Sequence, residues 1–393
     1  MMLLSSDYLK KGLNGSLLGA IIERLEGRNC VKLGAIPTST RRLPATLKCL
    51  GDAISGKYCA FFVRIGGYAC CVLNVKSSFH EEFYNEFRWQ EMNENSDHLR
   101  YDLGDFAYGT WRILDGEQPL SCEALARRFH KCLENSINTI DTAEIYGGYH
   151  VEEAVGNTLK SDPELLNRFK IVTKVGINVP SREKSHASIP QYDASSKNLV
   201  HCAEKSLRLL GIDTIDLFLV HRPDWLTHPE DTASGLRQLL DEGKVREVGV
   251  SNYTIYQFET LDQLMDGKLA TNQVEFSPLC MDPLYDGSFD QCLQKKVRPM
   301  AWSPLGGGAL FSGKGGASKR LRDKLTDLSP KYGEAPLDAL VYAWVLAVPA
   351  NPTVILGTNK IDRIISGAKA GAIQLEREDW YAIWEAAKGQ SVP

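Results

Sequence analysis

The sequence predicts an α/β fold: a (β/α)8 TIM barrel over residues 88–393, preceded by an N-terminal extension of unknown structure over residues 1–87. Three observations predict it. Eight short apolar, β-rich runs recur beyond residue 100. Segments of helical period lie between most of them. The side chains with chemical capacity fall where those runs end, which in such barrels is the catalytic face. The 393 residues are enough for one large barrel plus an appendage.

The runs, in order, are DFAYGTW (105–111), INTIDTA (137–143), FKIVTKVG (169–176), TIDLFLVH (214–221), VREVGVSN (245–252), ATNQVEF (270–276), VRPMAWSP (297–304) and NPTVILGT (351–358). Parallel strands covered on both faces read as continuous apolar runs of this kind. CEALARRFHKCLEN (122–135) and SKNLVHCAEKSLRLLG (196–211) read as helices. In the second, Leu199, Cys202, Ala203, Leu207 and Leu210 share one face. Leu337–Ala347 reads as another, with Pro336 at its start and Pro349 just beyond its end. The competing architecture is an open doubly wound sheet. If it bound a dinucleotide it would carry GxGxxG after its first strand, and no such motif occurs. GALFSGKG (308–315) approaches a phosphate-binding loop, but Gly315 stands where a hydroxyl is needed for magnesium, so the match reads as chance.

Composition is that of an ordinary globular protein, with 43% apolar and 24% charged residues. A net charge of −4 gives no support to a nucleic-acid partner. Ten cysteines without a CxxC pair suggest neither a disulfide framework nor a metal site, and a reducing, cytoplasmic compartment is expected. Residues 1–57 differ from the rest: nine bases and four acids give them a net charge of +5. Such a basic, hydroxyl-bearing segment resembles an organellar transit peptide, so an organelle is the alternative location. Tyr58–Val75 is the most apolar stretch. Arg64 and Gly66-Gly67 interrupt it, so it reads as a β-hairpin rather than a membrane span. The polar, acidic stretch Ser77–Leu99 reads as a linker.

The second run leads into Asp141 and Tyr146. The third ends at Lys174, the fourth at His221, and the fifth at Ser251-Asn252. Gln273 lies in the sixth, Trp302-Ser303 close the seventh, and Gly357-Thr358 close the eighth. Any one of these alone is commonly a satisfied structural group; their convergence is the signal. A phenol, an ammonium, a carboxylate and an imidazole in one pocket suit proton donation to a carbonyl. A phenol with pKa near 10 is a poor acid, and a neighbouring ammonium is expected to lower it. Asp141 would hold the ammonium, and His221 would orient the carbonyl oxygen. Two other readings stand beside this one: a lyase forming a Schiff base at Lys174, and a regulatory barrel that binds cofactor with little turnover.

At these residues the sequence resembles the NADP-dependent aldo-keto reductases, over about residues 100–393. DTAEIYGGYHVEEAVG (141–156), VTKVG (172–176), LVHRPD (219–224), VGVSNY, ATNQVEFSP and MAWSPLGGG carry the resemblance. The ending, DWYAIWEAAKGQSVP, is similar to a bacterial-type oxidoreductase branch. The resemblance implies NADPH/NADP+ as cofactor and a small aldehyde or ketone as substrate. It also implies a monomer, with no membrane partner. Tyr146 would be the general acid, Lys174 its tuner, Asp141 the anchor of Lys174, and His221 the group that orients the substrate. Ser251, Asn252 and Gln273 would hold the nicotinamide carboxamide, and Trp302 would stack on its ring. Ser303, Leu305 and Gly306–Gly308 would follow the pyrophosphate. Gly109, Thr110 and Trp111 would cap the ribose. GTNKIDRI (357–364) would surround the 2′-phosphate through Gly357, Thr358, Asn359, Lys360 and Arg363. Lys360 and Arg363, three apart, are expected to share a helix face and supply the charge. Ser366-Gly367 departs from the family's usual Glu-Asn. The family's bottom-capping hairpin would have to come from residues 88–104.

Overall fold

A computed structural model describes residues 99–115, 119–165, 167–184 and 187–392, together with three strands nearer the N-terminus. The chain divides into two units, Met1–Asp97 and His98–Pro393. In the first, β1 (Leu33–Ile36), β2 (Cys59–Ile65) and β3 (Tyr68–Val75) form an antiparallel sheet in the order β1-β3-β2. Ile65 lies opposite Tyr68, so β2 and β3 form the hairpin expected around Gly-Gly. The targeting segment, apart from β1, and nearly all of the linker lie outside the described residues. So does most of the stretch expected to supply a capping hairpin.

The second unit is the (β/α)8 barrel. Its strands are β4 (Phe106–Gly109), β5 (Thr139–Asp141) and β6 (Lys170–Val175), then β9 (Ile215–Val220), β10 (Val245–Ser251), β11 (Leu269–Glu275), β12 (Met300–Trp302) and β13 (Thr353–Leu356). A short hairpin, β7 (Ile177–Asn178) and β8 (Gln191–Tyr192), occupies the loop after β6. Each barrel strand pairs in parallel with its neighbour in the chain, and β13 closes on β4 through Val354 and Phe106. All eight coincide with the apolar runs read from the sequence. Among the described residues no helix is long and apolar enough to cross a membrane.

Strand side chains alternate faces with period two, and this alternation builds the site. Ala107, Val172, Leu217, Leu219, Met300 and Ile355 pack together in one cluster inside the barrel. Two residues further on from members of that cluster stand Gly109, Lys174, His221, Trp302 and Gly357. The chemistry therefore sits as a cap on an apolar plug, one layer above it. The outer core is made by amphipathic helices. α1 (Cys122–Glu134) starts at Ser121, whose hydroxyl accepts from Ala124 N, and buries Leu125, Ala126, Phe129 and Cys132. α2 (Ser196–Leu210) is capped by Ser195 and stops at Gly211, which takes the left-handed φ of 68° that favours glycine. α3 (Leu337–Leu346) is buried over most of its length, and α4 (Ile361–Lys369) follows the last strand.

Candidate active site

Lys174 is the deepest functional group, with its side chain 0% exposed. Its Nζ donates to both carboxylate oxygens of Asp141 at 2.9 Å and to Thr142 O at 2.7 Å. Burial pushes the ammonium pKa down, but Asp141 and then Tyr146 outweigh that, and the net direction is up. Lys174 is therefore a fixed cation. Gln273 Nε2 also donates to Asp141 Oδ1, at 2.8 Å.

Tyr146 opens a tight turn, Tyr146–Tyr149, in the loop after β5. Tyr146 N donates to Ala143 O, and Glu144 N to Lys174 O, so the turn is tied to the Lys174 strand. Gly147 follows with φ 55°, and a Cβ there would stand 2.8 Å from Val151 and 2.9 Å from Leu114. Lys174 Nζ lies 4.9 Å from the Tyr146 ring centre. The His221 ring lies 6.0 Å from it at 76°, and the Trp111 ring 6.5 Å away. Burial raises the Tyr146 phenol above its ordinary 10.0, with Lys174 pulling the other way. This differs from the expectation that the ammonium lowers the phenol. The reason is physical: loss of solvent disfavours phenolate more than one neighbouring cation favours it. His221 is driven well below its ordinary 6.5 by burial, then by the positive Lys174 and Arg222. It is a neutral imidazole, and its Nδ1 is buried without a partner among the described residues.

A cavity of about 380 Å³ extends from these groups along the barrel top. Ser251, Asn252, Gln273 and Trp302 line it, together with Ser303, Leu305, Gly307 and Gly308 of the glycine turn and with Gly357, Thr358, Phe311 and Arg363. Asn252 and Ser303 follow their strands with φ of 60° and 51°, uncommon for residues other than glycine and concentrated at functional sites. Asn252 Oδ1 accepts from Trp302 Nε1 at 3.0 Å, which orients the indole. The Arg363 guanidinium stacks 4.5 Å from the Phe311 ring centre. Side-chain amides, an indole ring, a glycine turn and a guanidinium in one lining make a donor set that fits a dinucleotide.

Of the other residues anticipated from sequence, Gly109 and Trp111 also line the cavity. Thr110 is buried, donating to Asp141 O at 3.0 Å. Gly306 bonds to Ser303 O. Asn359 bridges to Arg112 O at 2.8 Å. Lys360 is exposed at the N-cap of α4, outside the cavity lining, while Arg363 in the first turn lines it. The sequence reading missed Arg112, Arg222, Phe311 and Tyr342, all in the lining. Arg112 and Arg222 each adjoin an assigned residue, Trp111 and His221, and that adjacency was the available signal.

The profile of the Aldo/keto reductase family matches residues 105–388. The chain is similar to the oxidoreductase YdhF of Escherichia coli (strain K12), 40% identical over 74% of this chain and 96% of that protein. It is similar to the 6-dehydroglucose reductase of Agrobacterium fabrum, 38% identical over 75% of this chain and 97% of that one. Among solved structures it resembles an aldo/keto reductase from Klebsiella pneumoniae in complex with NADP and acetate. That pair is 25% identical with TM-score 0.58, covering 71% of this chain and 89% of the other. A thermostable aldo-keto reductase bound to the inhibitor epalrestat superposes with TM-score 0.61 at 26% identity, over 73% and 96% of the two chains. With the barrel, the buried Asp141–Lys174 pair and the cavity beside Tyr146 and His221 on the same strand ends, the chain belongs to the aldo/keto reductase family.

Proposed function

We propose that the protein is an NADPH-dependent reductase of small aldehydes or ketones in which Tyr146 gives the proton. One observation carries this reading: the Tyr146 phenol faces the cavity with Lys174 Nζ 4.9 Å from its ring centre and the His221 ring 6.0 Å away. NADPH, held along the cavity by the residues named below, would supply the hydride for the carbonyl carbon. The carbonyl oxygen is held by the Tyr146 hydroxyl and the His221 ring. As negative charge grows on that oxygen, the Tyr146 O–H bond breaks and its proton moves across. The phenolate left behind is stabilised by Lys174, which Asp141 and Thr142 O hold in place. Trp111 and Trp302 line the same cavity.

Ser251, Asn252 and Gln273 would hold the carboxamide, Trp302 the ring, and the Ser303–Gly308 turn with Arg112 the pyrophosphate. Arg363 would take the 2′-phosphate, as a guanidinium matches phosphate oxygens in a fork. The reductases named for 6-dehydroglucose among its relatives support a small polar aldehyde as substrate. A Schiff base at Lys174 has little to support it: the amine is charged, buried and hydrogen-bonded to Asp141 and Thr142.

The test has two steps. Tryptophan fluorescence is titrated with NADPH and with NADH, and then a carbonyl panel is followed at the nicotinamide absorbance. Saturable quenching by NADPH and consumption with aldehydes are expected. Tight binding with no consumption across the panel would leave the regulatory-barrel reading in its place.

A further inference from the structure

We infer that Arg222 recognises an anion on the substrate, and that the preferred substrates are aldehydes or ketones carrying a carboxylate. The inference rests on the reductase reading above and deepens it. Its starting point is the charge along the cavity. Three guanidiniums line it, those of Arg112, Arg222 and Arg363. The one carboxylate in the lining, Asp141, is committed to Lys174 at 2.9 Å. Arg363 stacks on Phe311, and Arg112 donates to Gly307 O at 3.1 Å within the glycine turn. On the reading above, both serve the dinucleotide's phosphates. Arg222 is next to His221 in the chain.

Among the described residues Arg222 has no hydrogen bond and no carboxylate within 4.0 Å. Its Cζ lies 5.8 Å from the Trp302 ring centre, so the guanidinium rests over an aromatic face of the same cavity. Glu275, which its charge reaches, is half-buried and not paired with it. The charges at the bottom of the barrel are handled differently, since Arg298 there holds two carboxylates. A half-buried guanidinium without a counter-ion, beside the groups that would grip the carbonyl, is a recognition site for an anion brought by the substrate. A carboxylate suits it better than a phosphate. The planar fork accepts a carboxylate in two parallel bonds, whereas a dianion would draw a second cation, and the other two guanidiniums are assigned to the dinucleotide's phosphates.

The test compares 4-formylbenzoate with its neutral methyl ester at saturating NADPH, in the wild type, Arg222→Met and Arg222→Lys. The wild type is expected to favour the acid. Arg222→Met should lower kcat/KM for the acid roughly 10- to 150-fold, the range for one charge-assisted contact, and leave the ester unchanged. Arg222→Lys should restore part of the difference. Added salt should weaken the wild type's use of the acid and not of the ester. Equal losses on both substrates in a variant that unfolds at the wild-type temperature would overturn the inference. So would a wild type that prefers the ester, or one in which salt affects both alike. Failure of the wild type to reduce either aldehyde while it binds NADPH would instead overturn the reductase reading itself.

Discussion

The two ends of the barrel treat charge in opposite ways. At the bottom, where strands begin, Arg298 Nη1 and Nη2 bond Asp102 and Asp105 at 2.7 and 2.6 Å, and its Nε bonds Asn351 O at 2.7 Å. Arg100 bonds Asp262 Oδ1 and Leu269 O, and Lys170 bonds Asp102 O. At the top, Arg222 and Arg363 have no carboxylate partner among the described residues. Among the described residues His221 Nδ1 and Thr142 Oγ1 are buried without partners. Buried polar groups in a stable fold are normally satisfied. The bottom follows that rule and the top departs from it, so the bottom serves stability and the top keeps its bonding capacity for ligands.

The sharpest way to break this contrast is at Tyr146. Tyr146→Phe should bind NADPH as the wild type does and lose about 10²- to 10⁴-fold in carbonyl reduction, the usual contribution of general acid catalysis. A variant with full turnover would mean the top is not organised around that phenol. The next effect concerns the cofactor. Arg363→Ala should weaken NADPH roughly 10- to 150-fold and leave NADH unchanged, as measured by fluorescence titration. Lys360→Ala should cost at most about fivefold, the scale of an exposed ion pair. If Lys360 proved the stronger contributor, α4 would have to present its N-cap to the ligand.

A change at the bottom should do the reverse. Arg298→Met removes hydrogen bonds from a side chain only 5% exposed, toward acids that are 42% and 49% exposed. The expected cost is about 1–3 kcal/mol of stability, read from denaturant unfolding, with kcat unchanged. A fall in kcat at unchanged stability would show the two ends to be coupled.

How far the sequence reached follows the same division. The strands were legible because each is a continuous apolar run between turn residues, from INTIDTA to NPTVILGT. Asp141, Tyr146, Lys174 and His221 were legible because such groups are costly inside a barrel and stood at successive strand ends. Three things were hidden. Arg112 and Arg222 reach the cavity from loops and Phe311 from a one-turn helix, Ala309–Ser312, whose paths no periodicity sets. Lys360 and Arg363 are three apart, but Lys360 is the cap, so the face-sharing rule, which needs both residues in helical conformation, does not extend to it. The phenol's shift depends on how much solvent the folded chain removes, which spacing along a sequence does not report.

The smallest expected effect is the absence of one, and it tests how dry the top is. With an uncharged aldehyde and saturating NADPH, kcat for reduction should stay level through the neutral range. His221 is held well below 6.5 by burial and then by Lys174 and Arg222, so it has already lost its proton before neutrality is reached from the acid side. Tyr146 is held above 10.0, chiefly by burial, so its proton leaves only at more alkaline pH than for an ordinary phenol. The proposed mechanism needs the imidazole neutral and the phenol protonated. Both conditions therefore hold across the interval between the two shifted values, and activity should fall only above about 10. A solvated histidine would place a step near 6.5 in the same profile. Such a step, present in the wild type and absent in His221→Asn, would show that water reaches the imidazole and that the two ends of the barrel differ less in solvation than in pairing.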